Sequence, residues 1–230
     1  MDLVVFSGAG VSAESGISTF RDSDGLWEHY DVMDVATPEA WNKDRELVLN
    51  FYDERRAQVI NADPNKAHYT IKALEEYFNV SVITQNIDDL HERAGSTNVL
   101  HLHGEIMKTR SSVDSELLYE VDNGIIQLGG KCEKGSQLRP HVVWFGEAVP
   151  EMEQAYHIVA KADLFIVVGT SLNVYPAAGS VQFVRQHVPI FVIDPKDVPL
   201  PEGAIHIKEK ASIGLPILAE ELVDQYRSDQ

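Results

Sequence analysis

Residues 3–13, LVVFSGAGVSA, are the stretch that decides the fold. The first four residues are apolar and mostly favour β-structure, which is typical of a strand buried on both faces. Gly8, Gly10 and Ala13 then match the pattern G-x-G-x-x-G/A, in which glycine lets the backbone approach a ligand and a following helix points free N–H groups at it. The stretch therefore predicts a pyrophosphate-binding turn. The alternative is a tight strand–helix turn that holds no ligand.

The segment after this turn is unlike that of an ordinary dehydrogenase. A hydride-transferring Rossmann unit carries a second strand that ends in Asp or Glu about 20 residues further on. Residues 18–27, STFRDSDGLW, are mostly polar instead and show no strand pattern, and the next convincing strand is 80–84. We therefore predict a loop with an aromatic side chain and an arginine that folds over a bound nucleotide.

Apolar runs that alternate with amphipathic stretches predict the architecture. Strands are expected at 80–84, 99–102, 142–145, 164–168 and 189–193, and helices at about 37–60, after 63–65 and from about 213. This alternation predicts an α/β fold with a Rossmann-like, doubly wound parallel sheet. We expect a single catalytic unit over 1–230 with a large part (1–27, 79–104 and 140–230) and a smaller inserted module (28–78 and 105–139). The ligand cleft is expected between the two.

Composition limits the possible function classes. The formal net charge of −17 argues against nucleic-acid binding, and it favours either attraction of basic polypeptides or solubility alone. There is no apolar run of 18 residues and only one cysteine, Cys132, so we expect no membrane span and no internal disulfide. The N-terminus enters a strand at once and leaves no room for a signal peptide. We expect a cytoplasmic monomer.

Polar residues follow three of the predicted strands, at the sheet edge where open α/β folds bind their ligands. Amide and carboxylate side chains there can hold ribose hydroxyls, although Asp88 also suits the cap of the next helix. These residues are Gln85, Asn86 and Asp88 after one strand, Gly169, Thr170 and Ser171 after another, and Asp194 after the last.

Two histidines are candidates for a general base. His101 and His103 share one face of a predicted strand, so alternation alone does not choose between them. A nearly neutral imidazole suits the removal of a hydroxyl proton near physiological pH. A buried structural histidine is the alternative, and it is also our interpretation of His91.

Tyr52 and Arg55 lie on the apolar stripe of the first long predicted helix. The stripe runs at i, i+4, i+7 and i+11 from Val48, so Arg55 is expected to point along it and Arg56 is not. An arginine in that position must find an anion or reach around to water. An internal ion pair is the alternative to an anionic ligand.

Five motifs together resemble the sirtuins, which are NAD-dependent protein-lysine deacylases. They are GAGVSAESGISTFRDSDGLW, TQNIDDLHERAG, HLHGE, RPHVVWFGE and VGTSLNVYPAA, in order and at sensible spacing from residue 2 to about 222. The resemblance implies an NAD pocket made of Gly8, Ala9, Gly10, Ala13, Phe20, Arg21, Trp27, Gln85, Asn86, Ile87, Asp88, Gly169, Thr170 and Ser171, with Asp194 and Ala211 as further contacts.

The resemblance also implies roles for individual residues. His103 matches the catalytic base, and Asn86 and Asp88 match the residues that position the nicotinamide and the attacked carbon. The pair Tyr52 and Arg55 is similar to that of the sirtuins that remove succinyl, malonyl or glutaryl groups, because a forked guanidinium binds a carboxylate.

The protein partner implied by the resemblance is an acylated-lysine protein or peptide. Val143, Phe145 and Gly146 match the strand that pairs with the substrate peptide. An ordinary sheet strand is the alternative. The small side chain of Ala13 would leave room for a longer acyl chain.

Residues 105–139 depart from the family pattern. Most sirtuins hold this region with zinc on four cysteines, but here Ser111 stands where the first is expected and Cys132 is the only thiol. One thiol does not complete a tetrahedral site, so we predict no bound zinc. A small apolar core is expected in its place, from Leu117, Leu118, Val121, Ile125, Ile126 and Leu128.

Two other functions use the same pocket. An ADP-ribosyltransferase or NAD hydrolase would pass ADP-ribose to protein or to water. A non-catalytic NAD sensor would bind the dinucleotide without turnover. Retention of His103, Asn86 and Asp88 favours the deacylase over the sensor.

Overall fold

The strands and helices alternate along most of the chain. The computed structural model describes residues 1–18, 30–121, 124–172 and 175–228. In chain order the strands are β1 (Asp2–Ser7), β2 (Asn79–Thr84), β3 (Val99–His101), β4 (Gly104–Ser111), β5 (Leu118–Glu120), β6 (Leu138–Val142), β7 (Leu164–Val168), β8 (Ile190–Ile193) and β9 (Ile205–Ile207). The α-helices are α1 (Val32–Val35), α2 (Pro38–Lys43), α3 (Arg45–Asn61), α4 (Lys66–Leu74), α5 (Leu90–Arg93), α6 (Met152–Val159) and α7 (Ala211–Ser228). Among these described ranges, no helix is both long and apolar enough to cross a membrane.

A six-stranded parallel sheet has the order β3-β2-β1-β7-β8-β9. Strand β1 lies between β2 and β7, in a register that pairs Ser7 with both Thr84 and Val168. Leu3 and Phe6 are fully buried, as expected for a strand that is covered on both faces. The predicted α/β fold with a Rossmann-like parallel sheet is confirmed.

The two faces of this sheet carry separate apolar clusters. Leu3 and Val5 pack with Ile71 of α4 and with residues of α7. The alternate residues of β1 point to the opposite face, where Phe6 packs with Ala155 of α6. The candidate site lies at the carboxyl edge of this sheet.

A smaller antiparallel sheet has the order β5-β4-β6. It packs with α2 and α3 around a third cluster, which includes Trp41, Tyr52, Ile106 and Trp144. Strand β5 lies within the segment 105–139, and β4 begins at Gly104, directly before it. Helices α2 and α3 lie within the segment 28–78.

Helix α4 lies within 28–78 but packs on the large sheet, and here the structure differs from the expected boundary of the smaller module. Ala67, Ile71 and Leu74 recur at i, i+4 and i+7, and all three are buried in the cluster that contains β1, β2 and α7 residues. The single apolar stripe of α4 therefore covers the parallel sheet, whereas α2 and α3 pack with the smaller sheet.

The predicted helix over 37–60 is divided at Asp44. Thr37 caps α2 by accepting from Ala40 N, and Pro38 occupies the first turn, where its missing N–H costs nothing. Asp44 then has an extended backbone, and its side chain caps α3 by accepting from Leu47 N at 2.9 Å. A second capping residue inside the predicted helix thus starts a new one.

The strand expected at 142–145 is wrong in its bounds, because β6 runs from Leu138 to Val142. The chain turns directly afterwards: Glu147 N donates to Trp144 O at 3.0 Å, and Trp144 N donates to the Glu147 carboxylate at 2.8 Å. The apolar run VVWF resembles a strand, but its middle is taken into a turn that the acidic side chain stabilises.

The turn between β3 and β4 requires glycine at position 104. Gly104 has a φ of +79°, and a Cβ there would lie 2.2 Å from the carbonyl oxygen of His141. Both the left-handed backbone and the clash oppose a side chain, so we expect Gly104→Ala to lower the free energy of unfolding by about 2 kcal/mol or more.

The matched control is Gly135→Ala, measured by the same urea denaturation. Gly135 has a φ of +75°, but no described atom beyond its chain neighbours lies within 4 Å of the added Cβ. We expect it to lose only the backbone component, about 1 kcal/mol. Equal losses for both variants would contradict the clash at position 104.

Candidate functional site

Two glycine turns pack against each other at the carboxyl edge of the large sheet. Gly8 N donates to Val168 O at 3.1 Å, and Gly10 N donates to Gly169 O at 2.8 Å. A Cβ at Gly10 would lie 2.7 Å from the Cα of Gly169, so a side chain would force the turns after β1 and β7 apart. The glycines are required by this backbone packing as well as by any ligand above it.

The helix expected after the glycine turn is two short 3₁₀ turns, Ala9–Val11 and Ala13–Ser15. Gly16 ends the second turn with a φ of +86°. These turns are too short to provide the dipole of a full α-helix, so the predicted anion-binding helix N-terminus is absent from this described segment. The groups that could bind a phosphate here are the backbone N–H groups of the turn.

The residues after β2 join the two glycine turns. Gln85 Nε2 donates to Thr170 Oγ1 at 3.0 Å, and Asn86 Nδ2 donates to Ser12 Oγ at 3.1 Å. The loop after β2 is therefore held on one side by the turn after β7 and on the other by the turn after β1. The structure brings these predicted pocket residues together.

Asp88 is buried beside the same loop. Burial raises its pKa, while hydrogen bonds from Leu90 N and from the Ser12 side chain oppose that rise. The bond from Leu90 N to the Asp88 carboxylate, at 3.2 Å, shows that this residue also caps the following turn. The bond from Leu90 N is the local contact that the cap interpretation of Asp88 expects, and the proposed contact with ribose stays a prediction.

The imidazole of His103 is held through one of its two ring nitrogens. Its Nδ1 lies 2.9 Å from the carbonyl oxygen of Gln85. A carbonyl only accepts, so Nδ1 must carry the hydrogen, and Nε2 of the neutral ring keeps its lone pair. Burial lowers the pKa of His103 in spite of this hydrogen bond, so the neutral form is favoured. This is the arrangement that a general base needs.

His101 is held in the opposite way. Its Nδ1 lies 2.9 Å from Asn86 O, and its Nε2 lies 2.8 Å from a carboxylate oxygen of Glu92. Burial acts to lower its pKa, but the hydrogen bond and charge of Glu92 outweigh it and the pKa is raised. With an acceptor on each nitrogen, His101 is suited to be a doubly protonated cation rather than a base.

Tyr52 and Arg55 lie on one side of α3, one turn apart. Tyr52 is 4% exposed, and its oxygen accepts a hydrogen bond from Trp144 Nε1 at 3.1 Å. Burial lowers the pKa of Arg55. The interactions of its guanidinium with Tyr52 and with the Asp88 carboxylate offset only part of this decrease. The charge of the Arg55 guanidinium therefore acts both on the phenol and on the buried carboxylate beside Asn86.

Arg56 was expected to point away from the apolar stripe, and that expectation is wrong. Its side chain is fully buried, with Nε donating to Ile106 O at 2.7 Å and Nη1 donating to Gly124 O at 3.1 Å and to Asp53. Helix α3 is covered on more than one side, by β4 and by the segment near Gly124, so a single stripe does not describe its burial. Arg56 is a structural cross-link between α3 and these neighbours.

The predicted substrate segment begins beside His103. Val143 N donates to the carbonyl of His103 at 2.9 Å, and Phe145 N donates to Ala36 O at 3.0 Å. Phe145 is 45% exposed, and Gly146 has a φ of +91°. The segment thus links the end of β3 to the helices that pack with the smaller sheet.

The other predicted cofactor contacts are distributed around this edge. Asp194 directly follows β8, whose last residue, Ile193, accepts from Gly169 N at 3.0 Å. Ala211 begins α7 and is buried, and Ile87 accepts from Ile106 N at 2.8 Å. Ala9, Ala13 and Ser171 lie in the turns after β1 and β7. Phe20, Arg21 and Trp27 lie outside the described residues.

Sequence reasoning missed two polar residues behind the loop after β2. Ser12 Oγ accepts from Asn86 and lies 3.5 Å from His68 Nε2. Asn65 N donates to His68 Nδ1, so Nε2 carries the hydrogen and points it at Ser12. Burial lowers the pKa of His68 to about 4, which keeps the ring neutral. Ser12 lies inside the glycine motif, but nothing in the local pattern marked His68 as its neighbour.

The residues around Cys132, between β4 and β6, do not fit the zinc site of the family that this sequence resembles. The Cys132 thiol lies 3.3 Å from Ser111 Oγ and 3.2 Å from Ser136 Oγ, and these hydroxyls lie 2.9 Å apart. Two neutral hydroxyls and one thiol are not a ligand set for structural zinc. Among the described residues, no group of three or more His, Cys, Asp or Glu side chains is placed to hold a metal.

The family model, the relatives and the solved structures that match this chain all indicate the same family. The model of the Sir2 family matches residues 8–176. A protein from Bacteroides thetaiotaomicron named NAD-dependent protein deacylase is 50% identical over 229 residues, which cover 96% of this chain and 98% of the relative. A solved Sir2 homolog–NAD complex is 44% identical with a TM-score of 0.86, over 99% of this chain and 90% of the other. A Sir2 complex with a deacetylated p53 peptide and 3′-O-acetyl ADP ribose is 31% identical with a TM-score of 0.82, over 95% and 92%.

Removal of metal should leave this protein folded. A structural zinc contributes on the order of 10 kcal/mol to folding, so chelation unfolds a domain that depends on one. We expect prolonged dialysis against EDTA to leave the melting temperature unchanged and elemental analysis to find far less than one zinc per chain. The control is Ser111→Ala, which should lower the melting temperature because Ser111 Oγ accepts from Val113 N and Asp114 N. Stoichiometric zinc would contradict the prediction.

Proposed function

The chain belongs to the Sir2 family and is an NAD-dependent protein deacylase, and we propose that it prefers lysines that carry a short acidic acyl group such as succinyl or malonyl. The observation that carries this preference is the buried Arg55 guanidinium, whose charge acts on both Tyr52 and Asp88. Tyr52 and Arg55 lie one turn apart on one side of α3, and a carboxylate at the end of an acyl chain would accept hydrogen bonds from both the phenol and the forked guanidinium.

The residues at the carboxyl edge fit a dinucleotide. The glycine turns bring backbone close to the edge, and Thr170, Gln85 and Asn86 supply hydroxyl and amide groups in the loops above it. We assign the phosphates to the turn after β1 and the nicotinamide end to the loop that holds Asn86 and Asp88. When bound, NAD supplies the ribose–nicotinamide bond whose cleavage opens the sugar carbon to attack by the acyl oxygen.

His103 is proposed as the base. Its Nε2 would accept the proton of a ribose hydroxyl, and its Nδ1–H would remain bonded to the Gln85 carbonyl throughout. That carbonyl holds the ring orientation and stabilises the cation that forms when Nε2 takes the proton. The lowered pKa keeps the ring neutral at the start of the reaction.

Asn86 and Asp88 are proposed to orient the nicotinamide end. Ser12 Oγ accepts from Asn86 Nδ2 and also bonds to Asp88, so the two side chains are fixed relative to each other. Fixed polar groups stabilise a developing charge without having to reorganise during the reaction. The serine is therefore assigned the role of positioning residue for both.

The acyl-lysine peptide is proposed to bind along Val143, Phe145 and Gly146, in a cleft between the large and the smaller sheet. The bond between Val143 N and the His103 carbonyl brings this segment next to the base. Main-chain pairing would accept many peptide sequences, and the net charge of −17 would favour basic ones. Binding of a deacetylated peptide by a related Sir2 protein supports this assignment.

Replacement of Arg55 should change the choice of acyl group. A bidentate charge-assisted bond contributes about 1.5–3 kcal/mol, so Arg55→Met should lower the ratio of kcat/KM for succinyl-lysine over acetyl-lysine peptides by about 10- to 100-fold. A matched control is Arg45→Met, since Arg45 lies at the start of the same helix and stacks on Trp41. Product analysis with labelled NAD should find acyl-ADP-ribose. An unchanged ratio would contradict the acidic preference, and label fixed on protein would favour ADP-ribosyl transfer.

The pH dependence should report the lowered pKa of His103. Below its pKa the ring is protonated and has no lone pair to accept the ribose proton, so kcat/KM falls as the pH drops through that value. Because burial lowers the pKa from the ordinary 6.5, we expect the acid limb to lie below pH 6.5.

The same titration can be followed directly on the imidazole. Nitrogen NMR of the unliganded protein should show Nδ1 protonated in the neutral ring and a transition below pH 6.5, with the signal assigned by its loss in His103→Gln. A midpoint above that value, or the other tautomer, would refute the assignment of Nε2 as the base.

A further inference from the structure

The hydroxyl of Tyr52 has one of its hydrogen-bonding directions fixed from within the protein. Trp144 Nε1 lies 3.1 Å from the phenol oxygen. An indole N–H only donates, so the phenol must accept in this bond, and its own hydrogen is left to point in another direction. Burial raises the pKa of Tyr52 to about 12, so the phenol keeps that hydrogen at any physiological pH.

Trp144 is itself held by a charged pair. The Arg139 guanidinium carbon lies 3.2 Å from the centroid of the indole ring. Arg139 makes two bonds to the Glu147 carboxylate, at 2.7 and 3.1 Å, and Glu147 also accepts from Trp144 N at 2.8 Å. Ring and main chain of Trp144 are thus both fixed by one ion pair, and Trp144 is only 2% exposed.

This arrangement, Trp144 with Arg139 and Glu147, is termed the indole clamp below. It contacts neither His103 nor Asn86 through any of the hydrogen bonds above. Its bond to Tyr52 connects it to the proposed acyl pocket. Arg55 lies one turn further along α3, and its positive charge acts to lower the pKa of Tyr52 against the effect of burial.

We propose that Trp144 is a specificity-determining positioning residue, which by donating Nε1–H to Tyr52 directs the phenol O–H toward the carboxylate of an acidic acyl group. The phenol O–H and the Arg55 guanidinium would then both be donors to the end of the acyl chain. A carboxylate would accept from both, whereas the methyl end of an acetyl group accepts from neither. The inference rests on the proposed acidic-acyl preference and adds the residue that orients its donor.

Nothing else in the clamp explains why an indole is needed. A phenylalanine would fill most of the same volume and would still stack under the Arg139 guanidinium. What phenylalanine lacks is the N–H, so the phenol of Tyr52 could rotate and use its hydrogen elsewhere. The role of Trp144 in specificity is therefore separable from its role in packing.

The test is Trp144→Phe, assayed with matched succinyl-lysine and acetyl-lysine peptides. We expect the succinyl-to-acetyl ratio of kcat/KM to fall about 5-fold, mainly through KM for the succinyl peptide, which is the loss expected for one misdirected hydrogen bond. The control is Trp41→Phe, which makes the same change in a buried ring whose centroid is 5.7 Å from that of Trp144. The control should leave the ratio unchanged.

A double-mutant cycle separates positioning from packing. If Trp144 acts through the phenol, then adding Trp144→Phe to Tyr52→Phe should not lower the ratio further, because the oriented hydrogen is already absent. A fall by the same factor in both backgrounds, or an equal loss on both peptides, would overturn the proposal. Should Trp144→Phe fail to fold, substitution of Trp144 by β-(3-benzothienyl)alanine, which keeps the bicyclic shape and lacks N–H, gives the same comparison.

The outcome for the wild type distinguishes the two proposals. A wild-type protein with no preference for succinyl-lysine, in a ratio that Arg55→Met leaves unaltered, would overturn the acidic preference and the role of Trp144 with it. A wild-type preference that depends on Arg55 but survives Trp144→Phe unchanged would overturn only the role of Trp144.

Discussion

The parallel pairing of β1 with β2 on one side and β7 on the other is the constraint on which the site depends. Ser7 pairs with Thr84 and with Val168, so three strands end at one level. The pairing continues in side chains, since Ser7 Oγ donates to Thr84 Oγ1 at 2.9 Å and lies 2.9 Å from His91 Nε2. Because the strands run in one direction, their following loops converge at the same edge. An antiparallel neighbour would have put its loop at the far end of the sheet.

Two adjacent carbonyls of one loop then determine the chemistry of two histidines. Gln85 O and Asn86 O each receive the Nδ1 hydrogen of a histidine two residues apart, His103 and His101. What separates the two rings is the second nitrogen, which in His101 meets the Glu92 carboxylate. A single acidic residue on α5 thus raises the pKa of His101 and favours its cation, whereas burial lowers the pKa of His103 and favours the neutral ring.

The parts of this molecule that local sequence predicts are those that depend on local geometry. The buried strand, the glycine turn after it and the cap at Thr37 were predictable, because each is a property of consecutive residues. The burial of Arg56 was not, because the helix meets β4 and the segment near Gly124, which no periodicity records. The end of β6 was missed for a similar reason, since an apolar run carries no sign that Glu147 will fold back on Trp144.

The same difference between local sequence and long-range packing applies to the proposed site residues. Their types and their positions after strands could be predicted, and the family motifs ordered them further. Which histidine is neutral required the contacts of its ring, and the link from Ser12 to His68 required the docking of α4 on the large sheet. Interactions between residues far apart in sequence depend on how the elements pack, and the sequence pattern describes only the elements.

In its proposed role, Arg55 would connect the selection of substrate to the chemistry of the reaction. Its charge acts on Tyr52 at one end and on Asp88 at the other, and burial leaves little water to screen either interaction. That field favours ionisation of Asp88, whose own burial acts to raise its pKa. A carboxylate bound to Arg55 would offset part of this field and so shift Asp88 toward its protonated form. If Arg55 binds the acyl group as proposed, recognition of the acyl group and the charge of Asp88 would be coupled through a single guanidinium.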